Sequence, residues 1–169
     1  MAILRHKQRL VHKQVVDLLR AGLTEMQWMA EPVIFAATPV TLVDFQPDER
    51  GKAIAANTVA VTMGDEMDDA GEELGSGFGG LQSVEIPLFV DIYGEHQSIS
   101  TALGADVKAL LKNITTPLLS WDGTQTEATL EIDDVFGPEV PDAALTAGAE
   151  NFKRHWRVVR ARTTTYFQE

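Results

Sequence analysis

The sequence of 169 residues contains no cysteine, which excludes disulfides, thiolate metal ligands and catalysis by a thiol. No stretch without a charged residue is longer than twelve residues, the length of Pro32 to Val43, whereas a membrane-spanning helix needs about 20 apolar residues. The first residues, Met-Ala-Ile-Leu-Arg-His-Lys, lack the apolar core of a secretion signal. We therefore expect a soluble intracellular domain with no membrane span.

Motifs for catalysis and cofactor binding are missing as well. The sequence has no G-x-S-x-G and no H-E-x-x-H segment. Residues 75–80 carry the letters of a dinucleotide-binding loop, but they precede a predicted strand, and the carboxylates upstream would repel phosphate. The acidic run 65–73 fails the calcium-loop spacing, because Met67 and Ser76 stand at the third and twelfth positions. The sequence therefore predicts no catalytic residue, no metal site and no cofactor.

Charge is unevenly distributed along the chain. The net charge is −11, but residues 1–20 and 151–169 each carry +4, while residues 21–150 carry −19. An acidic balance argues against specific nucleic-acid binding. Two basic ends around an acidic centre instead predict ion pairing with acidic surface, on this chain or on a neighbouring copy.

Hydrophobic periodicity predicts an alternation of helices and strands. Helical spacing indicates helices at 1–22, with Gly22 as the stop, and at 98–112. Strands are predicted at 33–36, 40–45, 57–63, 82–93 and 126–133, a loop at 137–142, and a basic strand at 151–169. This order favours an α+β single domain, residues 1–169, with a mostly antiparallel or mixed β-sheet and helices packed on one face.

The predicted strand 82–93 has two different faces. Its even-numbered residues from Val84 to Ile92 are apolar, and the odd-numbered face carries Phe89 and Tyr93 among polar residues. Because Pro87 has no N–H, we expect this strand at a sheet edge or with a bulge. The half-apolar second face is covered either by a neighbouring subunit or by a helix of the same chain.

Residues 64–80 form the most unusual segment. They hold six carboxylates and six glycines with few apolar side chains. Such a segment cannot bury enough apolar surface to offset the entropy of ordering it. We predict a long, mobile acidic loop.

Together these features resemble the tail terminator (tail completion) proteins of long-tailed bacteriophages, the group of the minor tail protein U of phage lambda. The resemblance rests on an N-terminal helix followed by short strands. It rests further on the acidic loop leading into Val84 to Gly94 and then a helix at Ser98 to Lys112, and on the closing basic strand from His155 to Arg162.

The resemblance implies a structural virion protein without catalytic residues. It implies a homo-oligomeric ring, a hexamer, that caps the tail tube and meets the head–tail connector, located in the virion tail or neck and in the host cytoplasm during assembly. Our hypothesis is that the acidic loop orders against basic residues of a neighbouring subunit or of the tube protein. The candidate interface residues are Asp65, Glu66, Asp68, Asp69, Glu72 and Glu73 of the loop, the aromatics Phe89 and Tyr93, and the arginines Arg154, Arg157, Arg160 and Arg162.

Three alternatives remain open from the sequence. The first is another neck or head–tail joining protein of the same size. The others belong to different classes: a small carboxylate-dependent enzyme, or a nucleic-acid-binding module in which the two basic ends form one patch.

Overall fold

Helices cover one face of a single β-sheet, and the α+β class with helices on one face is confirmed. The computed structural model describes residues 7–29, 36, 38–52, 55–64, 81–120, 122–146 and 155–168. Its elements are α1 (Lys7–Glu25), β1 (Thr41–Phe45), a 3₁₀ turn (Pro47–Glu49), β2 (Thr58–Met63), β3 (Leu81–Gly94), α2 (Gln97–Leu111), β4 (Thr115–Leu119), β5 (Gln125–Glu139), α3 (Asp142–Thr146) and β6 (His155–Gln168).

The sheet is mixed and has the strand order β1-β2-β3-β6-β5-β4. Only the β1–β2 pair is parallel among these neighbours. The two longest partners, β3 and β6, pair without interruption from Leu81↔Gln168 to Gly94↔His155. This antiparallel ribbon joins segments that are far apart in sequence, and it fixes which side chains share a face of the sheet.

The main core lies between the helices and the sheet. Helix α2 packs on β3, β5 and β6, and helix α1 packs on β1, β2, β4 and α2. The side chains of Val11, Leu19, Leu103, Ile86 and Ile92 are fully buried in this layer. Each such side chain contributes about 1.5–3 kcal/mol when it is removed from water. The predicted alternation of strand 82–93 is therefore confirmed, and its even face is the core face.

The expectation that Pro87 marks an edge strand or a bulge is wrong. Strand β3 lies inside the sheet, between β2 and β6, and its pairing with β6 has no register shift. Pro87 stands one residue beyond the last β2 partner, Leu88, and its carbonyl accepts the N–H of Gly64. Since the N–H and C=O of a strand residue point to the same side, the missing N–H faces Gly64, just beyond the end of β2. The pairing of Thr58 to Met63 with β3 is therefore intact.

Helix α1 does not stop at Gly22. It continues to Glu25, and the structure uses the glycine for close packing instead, because a Cβ there would lie 2.4 Å from a Leu110 methyl carbon of α2. The predicted loop at 137–142 is also partly wrong, since β5 runs on to Glu139 and α3 begins at Asp142. Strand β4 was not predicted from the sequence.

The basic C-terminal strand is confirmed as β6 over residues 155–168. The acidic loop, apart from Gly64, lies outside the described residues, as do residues 1–6 of the first predicted helix, positions 33–35 and residues 151–154.

Candidate functional site: the open face of the sheet

The candidate site is the sheet face opposite α1 and α2, which we call the open face. Neighbours across strands share a face, so the odd-numbered residues of β3 lie here beside the even-numbered residues of β6. Neither of the two long helices covers this face, because both pack onto its opposite side. The open face is therefore where chemistry or recognition can take place.

A buried carboxylate organises one end of the open face. The Asp91 side chain is fully buried, and its Oδ2 accepts a hydrogen bond from Arg50 Nε at 2.9 Å. Its Oδ1 accepts a second bond, from the Trp156 indole Nε1, at 3.0 Å. Burial raises the pKa of Asp91, and the Arg50 charge opposes that shift. With one protein donor on each oxygen, Asp91 ties Arg50 and Trp156 to the middle of β3.

A small second core surrounds this carboxylate. Phe45, Ala60 and Tyr93 are buried together, with Val43 and Trp156 packed against them. The Tyr93 and Trp156 rings stack with centroids 5.8 Å apart. Burial, followed by the nearby charge of Asp91, raises the pKa of Tyr93. Among the described residues, Tyr93 is thus packed against strand residues and Trp156 of its own chain.

Arg50 also connects the segment after β1 to the centre of the open face. Its guanidinium carbon lies 4.2 Å from the centroid of the Phe89 ring, within cation–π range. One side chain therefore binds Asp91 and covers Phe89 at the same time. The 3₁₀ turn that precedes Arg50 is closed by the bond from the Gln46 N–H to Glu49 at 3.0 Å.

The arginines of β6 are engaged by carboxylates of the same chain. Arg160 forms an ion pair with Glu139 of β5. Arg162 contacts Asp134, lies 3.7 Å from Glu85 and lies 3.8 Å from Asp133. These carboxylates, Glu85 first, raise the pKa of Arg162. Ion pairing of the basic end with acidic surface, predicted from the charge distribution, thus takes place within one chain for these two residues.

The open face carries more negative than positive charge. The pKa of Tyr166 of β6 is raised, first by burial and then by the nearby Glu131, Asp133 and Glu85. On this face, at least six carboxylates of the described strands lie among three guanidinium groups. The carboxylates are Glu85, Asp91, Glu131, Asp133, Asp134 and Glu139, and the guanidinium groups are those of Arg50, Arg160 and Arg162.

Two adjoining clefts cross the open face and share Phe89 and Arg160. One has a volume of about 370 Å³ and is lined by Pro87, Phe136 and Arg162, among others. The second, of about 550 Å³, extends past Trp156 and Val158 to Val140. Phe136 is 57% exposed and Val140 is 41% exposed, so both clefts present a large apolar side chain to water. We call the two clefts together the sheet groove.

The structure brings some of the predicted interface residues together and separates others. Phe89, Arg160 and Arg162 line the sheet groove, and Tyr93 is buried beside it. Arg157 pairs with Ile92 and so lies on the opposite, helix-covered face. Arg154 and the six carboxylates of the acidic loop lie outside the described residues.

Three residues of the open face are not predicted from the sequence: Asp91, Arg50 and Phe136. A charged residue inside an otherwise apolar stretch is a signal for Asp91, because a buried charge needs a partner. Arg50 and Phe136 have no such local signal, since only the folded sheet places them beside Phe89 and Arg160.

The described residues contain no group of three histidine, aspartate or glutamate side chains arranged to hold a metal ion. Within that same part of the chain, no helix combines the length and the apolar character needed to cross a bilayer. Neither the models of known protein families nor the curated protein sequences give a match to this chain.

Proposed function

We propose that this chain is a structural subunit of a bacteriophage tail, a tail terminator that forms a ring with copies of itself. In this proposal the ring caps the tail tube, stops its growth and presents a surface to the head–tail connector. The protein acts in the virion tail or neck and assembles in the host cytoplasm. The proposal starts from the resemblance in layout, and the α+β fold agrees with what that resemblance implies.

The observation that carries the proposal is the mixed character of the open face. Exposed Phe136 and Val140 stand next to Arg160 and Arg162, and these arginines are held in place by ion pairs. Interfaces between proteins combine exposed aromatic side chains with arginine in this way. A structural role also fits Asp91, whose two oxygens are both occupied by protein donors.

Tube termination in vitro tests the proposal. Tail tube protein is polymerised with and without the purified chain, and tube lengths and ends are examined by negative-stain electron microscopy. We expect shorter tubes with a ring of added density at one end. Mass photometry of released rings should give about 111 kDa, which is six subunits of 18.5 kDa.

A matched pair of variants provides the control. Phe136→Asp places a charge in the sheet groove, whereas Leu119→Asp places one on β4, where Leu119 is 45% exposed. Only Phe136→Asp should abolish termination. Unchanged tube growth with the natural chain would contradict the proposal, and binding to the connector without binding to tube ends would favour another head–tail joining protein.

A further inference from the structure

We infer that the sheet groove is the docking site for the basic, apolar segment formed by residues 1–9 of a second copy of this chain. This inference rests on the proposed self-assembly and names the two surfaces that meet. It differs from the expectation that the acidic loop binds the arginines of β6.

The charge around the groove decides between the two segments. The groove lining carries three carboxylates and three guanidinium groups, while Glu85, Glu131 and Asp133 add carboxylates on the open face beside it. Arg160 and Arg162 are already neutralised by Glu139 and by the three carboxylates around Arg162. Beyond these pairs the open face keeps a surplus of carboxylates, of which Glu131 is one. An incoming segment with six carboxylates in residues 65–73 would be repelled here, whereas a basic segment would be attracted.

The apolar part of the groove adds a second requirement. Phe136 and Val140 leave large apolar side chains in water beside Phe89. An occupant that gains from both features must carry apolar and basic residues without acids. Residues 1–9, Met-Ala-Ile-Leu-Arg-His-Lys-Gln-Arg, meet this requirement with Ile3, Leu4 and three basic residues, and they contain no carboxylate.

Residues 7–9, the described part of this segment, belong to a helix on the other side of the sheet from the groove. Helix α1, which begins at Lys7, packs on the helix-covered face. A groove on one face and its occupant leading from the other face form a heterologous contact between copies. Repetition of such a contact generates a closed ring or an open filament, and this agrees with the proposed ring.

Site-specific photo-crosslinking tests the inference. A benzophenone amino acid replaces Phe136 in a mixture of ¹⁵N-labelled and unlabelled protein, and crosslinked peptides are identified by mass spectrometry. We expect peptides of mixed isotope content that join position 136 to residues 1–9. The same probe at Leu119, which is also exposed, is the control and should not give this product.

Charge reversal gives the quantitative arm. Arg5→Glu combined with Lys7→Glu should lower the yield of the mixed product roughly fivefold to tenfold, and added salt should lower it as well. An anisotropy titration needs no substitution in the protein. In it, a fluorescent peptide of residues 1–9 should bind the natural chain. A peptide of the same composition in scrambled order should bind more weakly.

Several outcomes would overturn the inference. They are crosslinks from position 136 to another segment, products of a single isotope, equal yields at positions 136 and 119, or no saturable binding of the peptide. Tube termination is scored separately. Termination without the crosslink refutes the docking site alone, and the crosslink without termination refutes the proposed function alone.

Discussion

Replacing Asp91 by Asn should destabilise the fold although the two side chains have the same shape. The carboxylate is fully buried and accepts bonds from Arg50 at 2.9 Å and from Trp156 at 3.0 Å. Asparagine keeps one acceptor oxygen and turns its NH₂ group toward the other donor. One of these donors therefore loses its partner, and the Arg50 charge loses its counterion.

The size of the effect follows from burial. Removing one partner of a buried ion pair costs about 3–5 kcal/mol, and an unpaired buried donor costs about 1–3 kcal/mol. Arg50 is 30% exposed and keeps its contact with Phe89, so part of its charge can be rehydrated. We therefore expect a loss of about 2–3 kcal/mol in the free energy of unfolding, or about 4–12 °C in Tm for a chain of this length.

Urea unfolding followed by tryptophan fluorescence measures this loss. The matched control is Asp17→Asn on α1, where an aspartate also has two basic neighbours, Lys13 and Arg20, but is 52% exposed. That change should cost less than about 0.5 kcal/mol. If Asp91→Asn proves as mild as the control, Asp91 does not hold the open face together.

A companion variant, Arg50→Gln, adds a pH test with a defined sign. Burial raises the pKa of Asp91, and removing Arg50 takes away the charge that opposes this shift. The folded variant then binds the proton of Asp91 more tightly than the unfolded chain does. Its stability is therefore favoured at low pH and falls as the pH rises through the folded-state pKa. The penalty of Arg50→Gln should be larger at neutral pH than in acid, and a constant penalty would refute this reasoning.

Three further predictions concern other contacts. His12 bonds the Val61 carbonyl, and burial lowers the pKa of its side chain. The natural chain should therefore lose stability when the pH falls from about 7 to about 5. In urea titrations, His12→Gln should make the stability less dependent on pH. Gln14 bonds Pro117 O at 2.8 Å and Leu119 N at 3.0 Å, so Gln14→Ala should cost about 1 kcal/mol and speed amide exchange at Leu119. Gly137→Ala should lower the free energy of unfolding by more than about 2 kcal/mol in thermal unfolding, because φ is +107° and a Cβ would lie 2.5 Å from Val158 O. Gly123 also has a positive φ but has open space around it, so Gly123→Ala is the control and should cost less.

The parts of the fold that were predicted correctly are those set by local periodicity. The apolar alternation from Val84 to Ile92 marks a strand with one core face, and the helical spacing that predicted 98–112 marks α2. The spacing of the apolar residues is enough to predict whether the segment is a strand or a helix, and which of its faces packs against the core. The ends were less accurate, because Gly22 serves tight packing against Leu110, a contact that lies outside its own helix.

Pairing across the sheet could not be predicted from local patterns. Local sequence gives no sign that Pro87 can stand in an inner strand. The proline is tolerated because β2, the neighbour that its missing N–H faces, ends next to it, and the length of β2 is not visible in the sequence around Pro87. Likewise, Arg50 and Asp91 are 41 positions apart. Their contact depends on which face each strand presents and on how the chain returns from β1 over the sheet.

The pairing of charged residues also depends on the folded sheet. The sequence showed two basic ends around an acidic centre and left open whether they pair within one chain or between copies. In the structure Arg160 and Arg162 pair within the chain, and their carboxylate partners come from β3 and β5. Because these pairs engage the β6 arginines and leave the open face acidic, the proposed contact brings the basic residues at the start of a second copy to that face. The proposed contact between copies therefore has the opposite charge pattern to the one that the acidic loop suggested.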